Sequence, residues 1–129
     1  MGLRRRVPRH RRRIAAIYRE GLAGLPDVTR PAALDEEGRS LVRYPLLLAT
    51  AEQAEATFEA LSARGLVPGR WYRPLLFPGP AGPAPFAYAP GSCPVAEDAA
   101  ARVLNLQTAP FVTEEAALAA VDVIRSQVG

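Results

Sequence analysis

The chain has no Lys: all sixteen of its basic side chains are Arg. Without Lys it cannot form a Schiff base with a carbonyl compound or pyridoxal phosphate through its own side chains, and it cannot supply the Lys of a phosphate-binding P-loop. It has one Cys, Cys93, and one His, His10. That excludes an internal disulfide and leaves too few soft ligands for a Cys/His zinc site or for a His-based triad beside a separate metal. No apolar run approaches the roughly 20 residues that a membrane-spanning helix needs. The stretch after the Arg-rich start is broken by Arg19 and Glu20, so it offers no signal-peptide core, and the first Ser is Ser40, late for a Ser-rich transit peptide. These absences point to a cytoplasmic protein.

What is present suffices for one domain: 129 residues, 49% of them hydrophobic, can bury a real core. Charge is unevenly placed. Residues 1–13 hold seven Arg and no acid, giving +7, whereas beyond them nine Arg face thirteen acids, giving −4. Such an arm could neutralise several phosphates. It could equally be a solvated helix start or a surface for an acidic partner, and the lack of aromatic residues among the arginines disfavours nucleic acid. Positive charge at a helix N-terminus also opposes the macrodipole, so the start should fray.

Ile14, Ile17, Tyr18, Leu22 and Leu25 fall on one helical face, ended by Gly24 and Pro26. Residues 40–48 read as a strand, and Pro45, which cannot donate to a ladder, predicts an edge position or a bulge. Thr50 followed by Gln53 is a capping-box pattern opening a helix to about Arg64, with Ala54, Phe58 and Leu61 inward and Gly65 as its stop. A short extended piece, residues 69–73, leads into residues 74–94, which hold seven of the thirteen prolines and must form a loop. Ser92 or Cys93 caps a helix to about Arg102, a short strand covers residues 103–106, and Thr113 caps a last helix with Leu118, Val121, Ile124 and Val128 inward. The order describes an α+β fold, a small sheet with helices packed on it.

Trp71 and Tyr72, flanked by Arg70 and Arg73, suit recognition of a ring or a phosphate, or else anchor the loop on the core. The carboxylate pairs Glu36/Glu37, Glu97/Asp98 and Glu114/Glu115 sit where acids complement helix dipoles or are solvated, and none calls for a catalytic role. Cys93, at a helix start with no second Cys or His beside it, reads as a small buried residue rather than a reactive thiol.

Taken in order, His10 to Leu22, Leu25-Pro-Asp-Val-Thr29, Arg43-Tyr44-Pro45, Trp71-Tyr72-x-Pro74-Leu75, Cys93-Pro-Val-Ala-Glu97 and Asn105-Leu-Gln-Thr-Ala-Pro110 resemble the C-terminal region of the DegT/DnrJ/StrS aminotransferases, pyridoxal-phosphate enzymes that aminate keto-sugar nucleotides. The resemblance implies the small domain of a fold-type-I enzyme, with a largely antiparallel sheet covered by helices. It implies one small domain over residues 10–129, and the charge reading adds a basic, disordered arm over residues 1–9. Within that domain, residues 10–25 form a connector helix, residues 40–129 form sheet and helices, and the loop spans residues 74–94. The family's Schiff-base Lys and most cofactor-binding groups belong to a large domain upstream, so no catalytic, cofactor or metal residue is expected in this chain. On the substrate side the resemblance points to Trp71, Tyr72, Arg73 and Phe77. Phe77 stands where family members often have His, and Leu106, Gln107 and Ala109 replace a Leu-Pro-His run. The expectation is a truncated or separately encoded small domain, inactive alone, that needs a large domain or a dimer partner. The alternative is a non-catalytic module whose Arg arm holds nucleic acid or an acidic partner.

Overall fold

The computed structural model describes residues 2–36, 38–73, 75 and 88–129. Its elements are α1 (Leu3–Gly21), β1 (Val28–Thr29), a 3-10 turn (Ala32–Asp35), β2 (Arg43–Leu48), α2 (Ala51–Ala63), α3 (Pro94–Arg102), β3 (Val103–Gln107) and α4 (Glu114–Val128). The strands form one antiparallel sheet in the order β1-β2-β3. This is the expected α+β arrangement.

Strand alternation sorts the sheet into two faces. Tyr44, Leu46 and Leu48 of β2 and Leu104 and Leu106 of β3 are buried on the inner face. There they meet Ile14, Ile17, Tyr18 and Leu22 of the α1 segment and Ala117, Ala120, Val121 and Ile124 of α4. Tyr18 and Tyr44 pack ring on ring, centroids 5.5 Å apart and tilted by 52°. The outer face carries Arg43, Pro45 and Leu47 opposite Gln107, Asn105 and Val103.

Pro45 lies on the central strand, contrary to the edge position its ring predicts. Two features permit this. Asn105, its partner across the sheet, gives its N–H to Gly69 O and accepts from Gly69 N, both at 2.8 Å, so the Pro45 pair is a non-hydrogen-bonded one. On the other side β1 pairs only with Leu47 and Leu48, so Pro45 is locally an edge residue where its missing N–H costs nothing.

Helix ends follow their local chemistry. Thr50 Oγ1 accepts from Gln53 N at 3.1 Å, the Gln53 side chain reaches back to Ala49 N at 3.0 Å, and Gly65 closes α2 at φ 72°. Thr113 Oγ1 accepts from Ala116 N at 3.0 Å at the start of α4. Replacing Thr50 by Ala should cost about 1 kcal/mol, read as a lower denaturation midpoint in urea at unchanged slope.

Five details differ from expectation. Strand β2 begins at Arg43, not at residue 40. Helix α1 ends at Gly21, leaving Gly24 to a left-handed turn at φ 74°. It begins at Leu3, inside the segment expected to be disordered. Its second and third turns are tied to the body: His10 Nε2 donates to Ala109 O at 3.1 Å, Arg11 to Val42 O and Thr108 Oγ1 at 3.0 Å each, and Arg12 to Gly38 O at 2.7 Å. Arg13 makes a two-point pair with Glu114 at 3.1 and 3.0 Å. The extended piece at residues 69–73 is a single bridge followed by a turn. In α4, Leu118 is exposed; Ala117, one residue earlier, takes the inward position, because the stripe runs through Ala117, Ala120, Val121, Ile124 and Val128.

Candidate functional site

Trp71 and Tyr72 stand at the outer face of the sheet. Their rings are stacked, centroids 5.8 Å apart and 14° from parallel. They are 43% and 54% exposed, so they do not plug the core as loop anchors would. What fixes them is polar. Asn105 Oδ1 accepts from Trp71 N at 2.7 Å, and the Arg43 guanidinium lies 4.8 Å from the Trp71 ring centroid. Behind the pair, Glu55 of α2 bridges Arg70 at 2.8 Å and Arg73 at 3.4 Å, and Arg70 stacks over Phe58 at 3.7 Å. The Glu55 carboxyl is held below the usual range, first by its hydrogen bond from Arg70.

The stacked rings form a wall shared by two grooves. One, about 400 Å³, is apolar, lined by Pro45, Leu47, Leu75, Val103 and three alanines of α3, Ala96, Ala99 and Ala100. The other, about 300 Å³, is lined by Phe58, Pro68, Arg70 and Arg73. Trp71, Tyr72 and Arg73 are thus brought together, whereas Phe77 lies outside the described residues. The sequence reading missed Asn105, Glu55 and Arg43. Only Asn105 left a sign, as a polar residue in an apolar strand whose side chain had to find a partner. Asn105 is 5% exposed, so Asn105→Ala should cost about 1 kcal/mol by orphaning the Trp71 N–H. Trp71 is the sole Trp, so its emission should redden as the turn loosens.

A second cluster surrounds the α3 start. Glu97 accepts from Tyr88 OH, from Gly91 N at 2.7 Å and from Cys93 N at 3.5 Å. The bond to Glu97 pushes the Tyr88 phenol up to about 12 and holds the Glu97 carboxyl down. Cys93 is exposed, not buried as expected, because it is the N-cap residue and points no side chain into the core. Among the described residues no cluster of His, Cys, Asp and Glu could hold a metal, and no helix is long and apolar enough to cross a membrane.

Comparison with known proteins agrees with this architecture. TlmJ, an aminotransferase from Streptoalloteichus hindustanus, is 25% identical with a TM-score of 0.73, over 93% of this chain and 31% of its own. A DegT DnrJ EryC1 StrS aminotransferase from Brucella abortus is 27% identical with a TM-score of 0.68, over 94% of this chain and 31% of its own. DesV from S. venezuelae is 30% identical with a TM-score of 0.68, over 92% and 31%. Spr1654 from Streptococcus pneumoniae, solved in PMP and PLP forms, shares the fold at 17% identity. The chain thus spans about 31% of the length of the solved structures it matches. No curated protein matches it significantly. This chain offers no Lys amine to hold a pyridoxal cofactor covalently. The profile of the DegT/DnrJ/EryC1/StrS aminotransferase family matches residues 3–125, nearly the whole chain, and the chain belongs to that family.

Proposed function

We propose that this chain is the C-terminal small domain of a sugar aminotransferase, that it has no transaminase activity alone, and that the Trp71–Tyr72–Arg73 turn faces the substrate. The observation that carries the reading is the apolar outer face of the sheet. An antiparallel face left to water is polar, yet beyond Arg43 and Gln107 this one presents half-buried Pro45, Leu47 and Val103 in a groove beside α3 and two exposed aromatic rings. Such a face is made to meet another body, and in this reading that body is the large domain or partner subunit that carries the cofactor and its Lys. Stacked aromatics edged by Arg43, Arg70 and Arg73 are the side chains that hold a nucleotide base and its phosphates.

The single Trp makes the substrate assignment testable on the chain itself. A thymidine-diphosphate sugar should quench Trp71 emission with an affinity in the millimolar range. No change in emission up to about 10 mM ligand would sink the substrate-side role. For the missing activity, the chain is mixed with pyridoxal phosphate and reduced with borohydride. Mass spectrometry that finds a covalent adduct on a side chain would overturn it.

A further inference from the structure

The sequence of α1 conflicts with its structure over the first three turns. Arg5, Arg6 and Arg9 are exposed, and their side chains make no hydrogen bond or ion pair among the described residues. At about 100° per residue they share an arc of roughly 100° that also holds Arg13. Arg5 with Arg9, and Arg9 with Arg13, are like charges four residues apart, each pair destabilising by a few tenths of a kcal/mol. The positive end of the helix dipole adds to this, the first turn has no acid, and Gly2 supplies no side-chain cap. The first acid in the chain is Glu20. Arg11, Arg12 and Arg13 are spent on Thr108, on backbone carbonyls and on Glu114, which fixes the helix on the body and leaves Arg5, Arg6 and Arg9 presented outward.

We propose that this basic edge of α1 binds the phosphate backbone of duplex nucleic acid. Guanidinium groups bind phosphate oxygens in two-point fashion, and a fixed row of them engages successive phosphates without reading sequence. An acidic protein is the weaker fit: an interface core needs apolar anchors, and the exposed residues here are Arg, with Val7 and Pro8 half-buried. A single strand is disfavoured too, since it needs aromatic platforms for its bases and residues 1–13 contain none. The inference rests, within the proposed function, on this edge of α1 staying uncovered by the large domain, and its test uses the chain itself.

The test is fluorescence anisotropy of the full chain with a labelled duplex of about 20 base pairs. Three phosphate contacts give a log–log salt slope near −2.7, so affinity should fall about 40-fold between 50 and 200 mM salt. The R5E/R6E/R9E variant keeps the fold, because acids suit a helix N-terminus, and should lose binding at least tenfold. The R5K/R6K/R9K variant retains the charge and should stay within a few-fold of the parent. Absence of binding at 50 mM salt, or undiminished binding by the Glu variant, overturns the proposal. Poly-glutamate binding as tight as duplex binding also overturns it and assigns the edge to an acidic protein.

Discussion

Gly21→Ala is expected to destabilise the fold by about 2 kcal/mol, although Gly→Ala within a helix ordinarily stabilises by up to about 1. The reversal comes from how closely α1 and α4 approach. A Cβ at Gly21 would lie 2.5 Å from Val121 Cγ1 and 2.9 Å from Cγ2. Val121 cannot yield cheaply, because its branched Cβ confines it to one helical rotamer and it is only 5% exposed. The backbone at Gly21 is also held, since Arg125 donates to Gly21 O at 2.9 Å. The partner change tests the cause. In the background of Val121→Ala both γ-methyl clashes are gone and only the Cβ contact at 3.2 Å remains, so Gly21→Ala should cost far less, a coupling of about 1 to 2 kcal/mol in a urea-denaturation cycle. A Gly21→Ala variant as stable as the parent, with no coupling to Val121, would show that the helices separate freely.

That contact also marks where sequence reading stops. A Gly near the end of an apolar helix reads as a terminator, and Gly21, Gly24 and Pro26 compete for that role. Only the packing of α4, a hundred residues on, shows that Gly21 is there for closeness and Gly24 for its positive φ. Elements with a strong local signal were legible. Thr50, Gln53 and Gly65 bracket α2 through contacts within a few residues, and Pro94 and Thr113 open α3 and α4. Strand β1 was not legible, because two residues carry no periodicity and form a strand only against Leu47 and Leu48. Strand order was hidden for the same reason, and the rule that confines Pro45 to an edge holds only locally, beside a strand too short to reach it.

The candidate site divides along the same line. Trp71, Tyr72 and Arg73 stand out in the sequence as two large aromatics among arginines. Their supports come from three separate elements: Arg43 from β2, Glu55 from α2 and Asn105 from β3. Nothing local joins these positions, since the residues that support the turn are brought to it by the sheet and by the packing of α2. Helix α1 is the converse case, where local electrostatics predict a frayed start. Tertiary hydrogen bonds from His10, Arg11 and Arg12 and the pair of Arg13 with Glu114 override that tendency.

The absence of Lys has a consequence for stability that can be measured at alkaline pH. Between about pH 10 and 12 a Lys-containing protein titrates its ammonium groups, whereas this chain has no ammonium side chain to mask a buried phenol. Tyr18 is 2% exposed, and its hydroxyl donates to Gln107 O at 2.8 Å. Burial pushes its phenol up to about 12. The phenolate is therefore disfavoured in the folded state, while the unfolded chain ionises near 10, so the stabilising contribution is complete below pH 10. It is lost as pH rises through the folded value near 12. A shift of about two units corresponds to roughly 2 to 3 kcal/mol, a large part of the stability of a domain this size. The parent should lose that much between pH 10 and 12 in urea denaturation. Tyr18→Phe starts about 1 kcal/mol lower at neutral pH, having given up the bond to Gln107 O, but should decline far less over the same range. Tyr88→Phe serves as the control, since the Tyr88 phenol is also raised but pairs with Glu97 at the surface rather than in the core. Parallel alkaline curves for the parent and Tyr18→Phe would mean that the ring is ionised without cost, in contradiction of its burial against Tyr44 and β3.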